Sequence, residues 1–267
     1  MTVSLIDIRT FREGDRMKII ERSHIGKKRT INQDYIQVFK NKNNQRLAIL
    51  CDGMGGHLGG EVASKMAVRH FGHAWEHAEI EENRLEDWMF QQIKTENFRI
   101  FEKSQKFSDL KEMGTTLVAA AETDTEWKIF NIGDSRAYLF SNHQLIQVSE
   151  DHSFVNELVK SGEITKNEAM NHPKRNILTR SLGVDHAADA DRYIINKNAG
   201  DIIMLCSDGL TDMVSDETIE KVLNKDLDVE SKSDVLLEKA LEAGGSDNIS
   251  MILIEDTEKE GKENGNE

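Results

Sequence analysis

The sequence is poor in several features that would each point to a particular class of protein. Only two of its 267 residues are cysteine, Cys51 and Cys206, and both sit inside apolar runs. That suits reduced, buried thiols in a cytosolic protein better than a disulfide framework. No stretch approaches the ~18 consecutive apolar residues of a membrane-spanning helix, so membrane insertion is not expected. The opening "MTVSLIDIRTFREGDR" lacks the basic start, apolar stretch and small-residue cleavage site of a secretory signal. Positive charge is in deficit: 34 Lys and Arg against 48 Asp and Glu give a net charge of -14. Nucleic acid is therefore disfavoured as a partner, and a cation is the natural complement. The single proline, Pro173, falls in the least regular part of the chain.

What is present is a β-rich framework. Eight short apolar or alternating runs read as strands: "YIQVF", "RLAILC", "TTLVAAA", "WKIFNI", "RAYLF", "RYIIN", "DIIMLC" and "ISMILI". Turn-forming residues such as "KNKNNQ" join several of them, which predicts antiparallel hairpins. Between the second and third runs, Ala63, Ala67, Phe71 and Trp75, then Leu85, Met89, Ile93 and Ile100, recur at helical spacing. Two long helices among strands need a sheet face to pack on, which predicts a sandwich with helices outside it. A further helical pair is expected in "SDETIEKVL", capped by Ser215, and "SDVLLEKALEAGG", closed by Gly244. Residues 151–183 are irregular, with two short helices and a capping box at Thr165 and Glu168.

Two apolar runs more than 150 positions apart, "LAILC" and "IIMLC", each lead into an Asp-Gly pair, at Asp52 and at Asp208. Asp34, Asp134 and Asp247 likewise stand at the edges of apolar runs. One such acid is ordinary turn chemistry. Five, each at the end of a different expected strand, point to a site for a hard divalent cation, which takes a few carboxylates and keeps several waters. The lack of His or Cys among them argues against zinc.

The ordered set "RTINQD", "DGMGGHLGGEVAS", "MGTTL", "IGDSRAYL", "EDHSFVNELVKSGEIT", "HPKRNILTRSLG", "LCSDGLTD" and "GGSDNIS" resembles the bacterial metal-dependent protein serine/threonine phosphatases of the PPM family. The resemblance runs over nearly the whole chain. It implies an α+β fold: a β-sandwich of two antiparallel sheets flanked by pairs of helices in four αββα layers. Residues 19–255 would form the catalytic domain, with a flap at about 151–183 beside the active site. Residues 1–18 would be an extension; Met17 stands where such chains often begin, so an upstream start is the alternative, which intact mass would decide. The residues 256–267 are expected to be a disordered acidic tail.

By the same resemblance, two manganese or magnesium ions occupy the core site. Asp52 bridges them, Gly53 binds through its main-chain carbonyl, and Asp208 and Asp247 complete the first ion's ligands. Asp134 with Asp208 matches a third, weaker position, and Asp34 stands near the second ion, acting through water. Gln33 replaces the Glu of some relatives, which implies weaker binding there. The implied activity is hydrolysis of phosphoserine and phosphothreonine monoesters by in-line attack of a metal-bridging hydroxide. Arg29 would bind the phosphate with its guanidinium fork, and His57 would protonate the departing oxygen. Implied partners are phosphoproteins and a cognate bacterial serine/threonine kinase, with the phosphatase a cytoplasmic monomer.

Two rival readings come from other classes. "HAWEH", residues 73–77, fits the H-x-x-E-H pattern of inverted zinc proteases. Its His73 and His77, however, lie opposite the apolar stripe of their helix and should face water, where a protease zinc does not belong. The other rival is a binding module that keeps the fold without catalysis. Pseudoenzymes usually lose ligands, whereas every metal-binding Asp expected from the family is in place.

Overall fold

In the computed structural model, which describes residues 17–56 and 58–257, the apolar runs become strands buried on both faces. The strands are β1 (Met17–His24), β2 (Asp34–Lys40), β3 (Arg46–Met54), β4 (Gly114–Thr115), β5 (Leu117–Glu122), β6 (Glu126–Ile132), β7 (Arg136–Ser141), β8 (Gln144–Gln147), β9 (Asp191–Asn196), β10 (Ile202–Cys206) and β11 (Ile249–Asp256). One antiparallel sheet has the order β1-β11-β10-β7-β8, and the other β2-β3-β5-β6-β9 with β4 paired to β3. The helices are α1 (Gly59–His77), α2 (Leu85–Lys106), α3 (Phe154–Lys160), α4 (Lys166–Met170), α5 (Asp208–Thr211), α6 (Asp216–Leu223) and α7 (Val229–Glu242).

Side chains of a strand alternate between its faces, and each central strand divides its apolar residues between two cores. On β3, Leu47, Ile49 and Cys51 pack with Phe71, Trp75 and Met89 of α1 and α2. Ala48 and Leu50, on the opposite face, join Val118, Ile129, Leu205 and Ile252 between the sheets. On β10, Met204 and Cys206 meet Ile219 and Leu236 of α6 and α7. Three cores between four layers account for runs that are continuously apolar, since a sheet covered on both faces has no solvent side. Both cysteines face helices, fully buried and free, and burial raises both thiols, Cys206 to about 12. Among the described residues no helix is long and apolar enough to cross a membrane.

Three strands differ from expectation. β1, whose sequence "MKIIERSH" is interrupted by charge, pairs with β11 along its whole length from Met17↔Asp256 to His24↔Ile249. The sheet thus takes in two residues of the expected extension and the first of the expected tail; residues 1–16 and 258–267 lie outside the described residues. β8 is a largely exposed edge strand, so no buried face marks it in sequence. β4 is two residues long, too short for any periodicity to show. Ser215 caps α6 by accepting from the Thr218 amide, and Thr165 and Glu168 form the expected capping box on α4. α7 starts earlier than the sequence indicated, at Val229, because the Asp228 side chain accepts the Ser231 amide.

Candidate metal centre

The register of β2 against β3 sets Asp34 directly opposite Asp52. Both have the strand parity of Val38, Ala48 and Leu50, so both carboxylates fall on the inter-sheet face at one end of the sandwich. The main chain of Asp52 is fixed by two threonines. Its amide donates to Thr116 Oγ1 at 2.9 Å, and its carbonyl accepts from Thr115 Oγ1 and the Thr116 amide, each at 2.8 Å. Gly53 follows, with its amide bonded to the Gln33 carbonyl at 3.1 Å. A Cβ at Gly53 would overlap the carbonyl oxygen of Gly60, so only glycine lets α1 start this close to the strand end.

The other acids arrive from the second sheet. β10 ends at Cys206 and the chain enters α5 at Asp208. Ser207 between them donates to Asp34 Oδ2 at 2.8 Å and accepts from the Ser250 amide of β11 at 3.0 Å, tying the two sheets together at the site. Asp134 lies in the turn between β6 and β7; Ser135 Oγ beside it is 2.7 Å from Thr116 Oγ1. Asp247 precedes β11 and accepts from Arg29 Nη2 at 2.7 Å. The Arg29 loop is shaped by the next residue. Asn248 Nδ2 donates to the carbonyls of Ile25 and Ile31, and its Oδ1 accepts from the Gln33 amide.

All five aspartates share one electrostatic environment. Asp52 is pushed well above the usual carboxylate range, first by burial and then by the charges of Asp34, Asp208, Asp134 and Asp247. Asp208 is raised likewise by burial, followed by Asp134, Asp212, Asp247 and Asp34. Burial raises Asp34 to about 6 against the opposing hydrogen bonds of Ser250 and Ser207. Asp134 rises to about 7 through burial and the charge of Asp151. Like charges this close resist ionising together unless something positive joins them.

Two buried carboxylate oxygens, Asp34 Oδ1 and Asp208 Oδ1, have no protein hydrogen-bond partner, although buried polar atoms are nearly always satisfied. Among the described residues, no three His, Cys, Asp or Glu side chains are grouped so as to hold a metal ion by themselves. Main-chain carbonyl and water would have to complete any coordination sphere, and all-oxygen ligation with retained water suits magnesium or manganese. The residues fit such ions.

These features have counterparts among known proteins. Residues 20–243 match the family Protein phosphatase 2C. The chain belongs to this phosphatase family. It is 44% identical over 236 residues to the serine/threonine phosphatase stp of Listeria monocytogenes, covering 88% of this chain and 94% of that one. The structure of the S. agalactiae serine/threonine phosphatase superposes with a TM-score of 0.87 at 39% identity, over 91% of this chain and 100% of that one. The catalytic domain of the serine/threonine phosphatase PstP, described in complex with two manganese ions, superposes with a TM-score of 0.80 at 32% identity, over 91% and 99% of the two chains. The two-sheet, helix-flanked α+β architecture expected from sequence is that of these phosphatases.

Of the residues singled out in this phosphatase's sequence, Asp34, Asp52, Gly53, Asp134, Asp208, Asp247 and Arg29 come to the same end of the sandwich. His57 lies outside the described residues. Gln33 turns its side chain to the Gly56 carbonyl at 3.3 Å. His73 and Glu76 are exposed, and exposed His77 bonds the His73 carbonyl, so that cluster lies on the water-facing side of α1. Thr116, Ser207 and Asn248 are supporting residues that sequence reasoning does not single out. The "TTL" and "SDN" segments that carry Thr116 and Asn248 belong to the motifs, but only the hydrogen bonds reveal what each holds.

Proposed function

We propose that this phosphatase hydrolyses phosphoserine and phosphothreonine in proteins at the acid cluster of the sandwich end. The observation that carries this reading is the group of five aspartates at one end of the sandwich, four of them, Asp34, Asp52, Asp134 and Asp208, raised chiefly by burial, with two orphaned carboxylate oxygens among them. Asp52, the Gly53 carbonyl, Asp208 and Asp247 would hold two manganese or magnesium ions. Asp34 would act on the second ion through water, and Asp134 with Asp208 would hold a third, weaker one. When bound, such a pair supplies Lewis-acid stabilisation and acidifies water at neutral pH.

The protein's own residues do the rest. Thr115 and Thr116 hold the Asp52 peptide so that its carboxylate needs no reorganisation on binding. Ser207 occupies one oxygen of Asp34 and leaves the other, buried and without a protein partner, for a water or an ion. Arg29, half exposed and anchored to Asp247 through a single nitrogen, keeps the remaining donors of its fork for the oxygens of an incoming phosphate. His57 would supply the proton to the departing Ser or Thr oxygen.

The natural opponent is a bacterial serine/threonine kinase, whose product is this substrate. The phosphatase would act as a monomer in the cytoplasm, a compartment that two free, buried thiols suit.

The test is turnover of defined phosphoserine, phosphothreonine and phosphotyrosine peptides with manganese, repeated with Asp208→Asn. Activity on the first two peptides, lost in the variant, is expected. A wild type that binds phosphoprotein but is inactive with every metal would establish the binding-module alternative.

A further inference from the structure

The flap begins at Asp151 and His152, and both reach back to the turn that carries Asp134. Arg136, two residues after that acid, binds Asp151 with two nitrogens, Nε to Oδ1 at 2.8 Å and Nη2 to Oδ2 at 2.6 Å. Gly133, just before the acid, is gripped by His152 on both sides of its peptide. The Gly133 amide donates to His152 Nδ1 at 3.1 Å, and the His152 amide donates to the Gly133 carbonyl at 2.9 Å. Gly133 has φ +105, and a Cβ there would lie 2.6 Å from Thr116 Cγ2. The peptide is wedged between the threonine that holds Asp52 and the imidazole at the root of the flap.

The ring is buried, at 3% exposure, and its tautomer follows from its neighbours. Because Nδ1 accepts a backbone N–H, Nε2 is the nitrogen left to carry the ring proton; it faces Asp191 Oδ2 of β9 at 3.0 Å, closer than Arg180 Nη1 at 3.4 Å. Asp191 also accepts from Arg180 at 2.8 Å, and the Thr179 amide bonds the His152 carbonyl at 2.9 Å. Those last two residues lie on the returning stem of the flap. His152 therefore stands where the two stems meet, in contact with the turn of a site acid.

We infer that His152 is a positioning residue for Asp134: its imidazole, oriented by Asp191, fixes the Gly133 peptide and so sets where the Asp134 carboxylate meets the metal centre. This rests on the proposed function, but it can be read by metal binding without any turnover. Partners that orient a ligand typically account for about 10–100-fold in metal affinity or activity.

The experiment compares His152→Asn, His152→Gln and His152→Phe by calorimetric titration with Mn2+, phosphopeptide kinetics and thermal unfolding. Asn keeps an acceptor near the Nδ1 position, whereas Gln keeps only a group near Nε2 and Phe keeps neither. In the Gln and Phe variants, the weakest Mn2+ step should weaken about 10-fold or more, with the tighter steps unchanged, and kcat should fall while KM holds. Asn should restore both. Adding Asp134→Asn to the Gln variant should weaken that step no further than Asp134→Asn alone.

A lower Tm with unchanged Mn2+ binding and kcat in the Gln and Phe variants would make His152 merely structural and overturn the inference. So would a wild type with no third Mn2+ step, or failure of Asn to rescue. Should the wild type bind Mn2+ in three steps yet turn over no phosphopeptide, the proposed function falls while the binding data still decide the role of His152.

Discussion

The inter-sheet face of β3 carries Arg46 at one end and Asp52 at the other, and the two ends treat charge in opposite ways. At the Arg46 end, the Glu122 carboxylate accepts from Arg46 Nη1 at 3.0 Å and from Lys197 Nζ at 2.8 Å, and all three side chains are at most 10% exposed. Lys197 also lies over the Trp127 ring. An acid is buried there with its cations supplied by the same chain. About 20 Å along the strand, at ~3.3 Å per residue, five aspartates gather, and among the described residues the cation seen bonded to them is the partly exposed Arg29. A buried charge left unpaired is costly, so the second arrangement makes sense only as half of an assembly whose other half binds from solution.

The largest expected effect breaks the end proposed as the metal centre. Asp52→Asn should lower phosphopeptide turnover by on the order of 10^3-fold or more, because Lewis-acid stabilisation is worth several kcal/mol. Near-normal steady-state rates at saturating manganese would show that the cluster is not the centre. At the other end, Arg46→Ala should destabilise the fold by about 3–5 kcal/mol by stranding part of the Glu122 charge. Denaturant unfolding measures this, and kcat/KM per folded molecule should not change. A loss of activity beyond the loss of folded protein would erase the contrast between the ends.

A third prediction follows from the raised acids. The folded state holds the Asp34 proton up to about 6, whereas the unfolded chain releases it near the ordinary Asp value of about 3.9. Metal-free protein should thus keep this contribution below about pH 4 and lose about 3 kcal/mol as the pH rises to about 6, with Asp134 extending the loss to about 7. Manganese should cancel the slope, since its binding favours the ionised acids. Thermal scans from pH 5 to 8 with and without chelator test it, and parallel curves would refute it. Smallest is Arg29→Lys, which keeps the charge but not the fork. KM should rise roughly tenfold, equivalent to about 1–2 kcal/mol for a hydrogen bond to a charged group, with kcat less affected.

Much of this is legible in the sequence. Asp52 and Asp208 announce themselves because an apolar run stops at an acid, and the layered fold follows from strands with no polar face beside helices with one apolar stripe. The supporting groups were not legible. Ser207 and Asp34 are 173 residues apart and meet only through the packing of two sheets. Thr116 and Asn248 act by bonding main chain from distant segments, a role that leaves no periodicity. β1 was hidden by its charges, which alternate imperfectly with its apolar residues, until its pairing with β11 made it a strand.

The sequence by itself determined which residue types stand at the strand ends, and that most strands and helices must bury apolar faces, because alternation and helical spacing are local properties of the chain. Tertiary structure alone decided that five acids from separate segments share one field while Glu122 meets its cations. Electrostatic coupling depends on distance through space, and those distances are set by sheet register and packing.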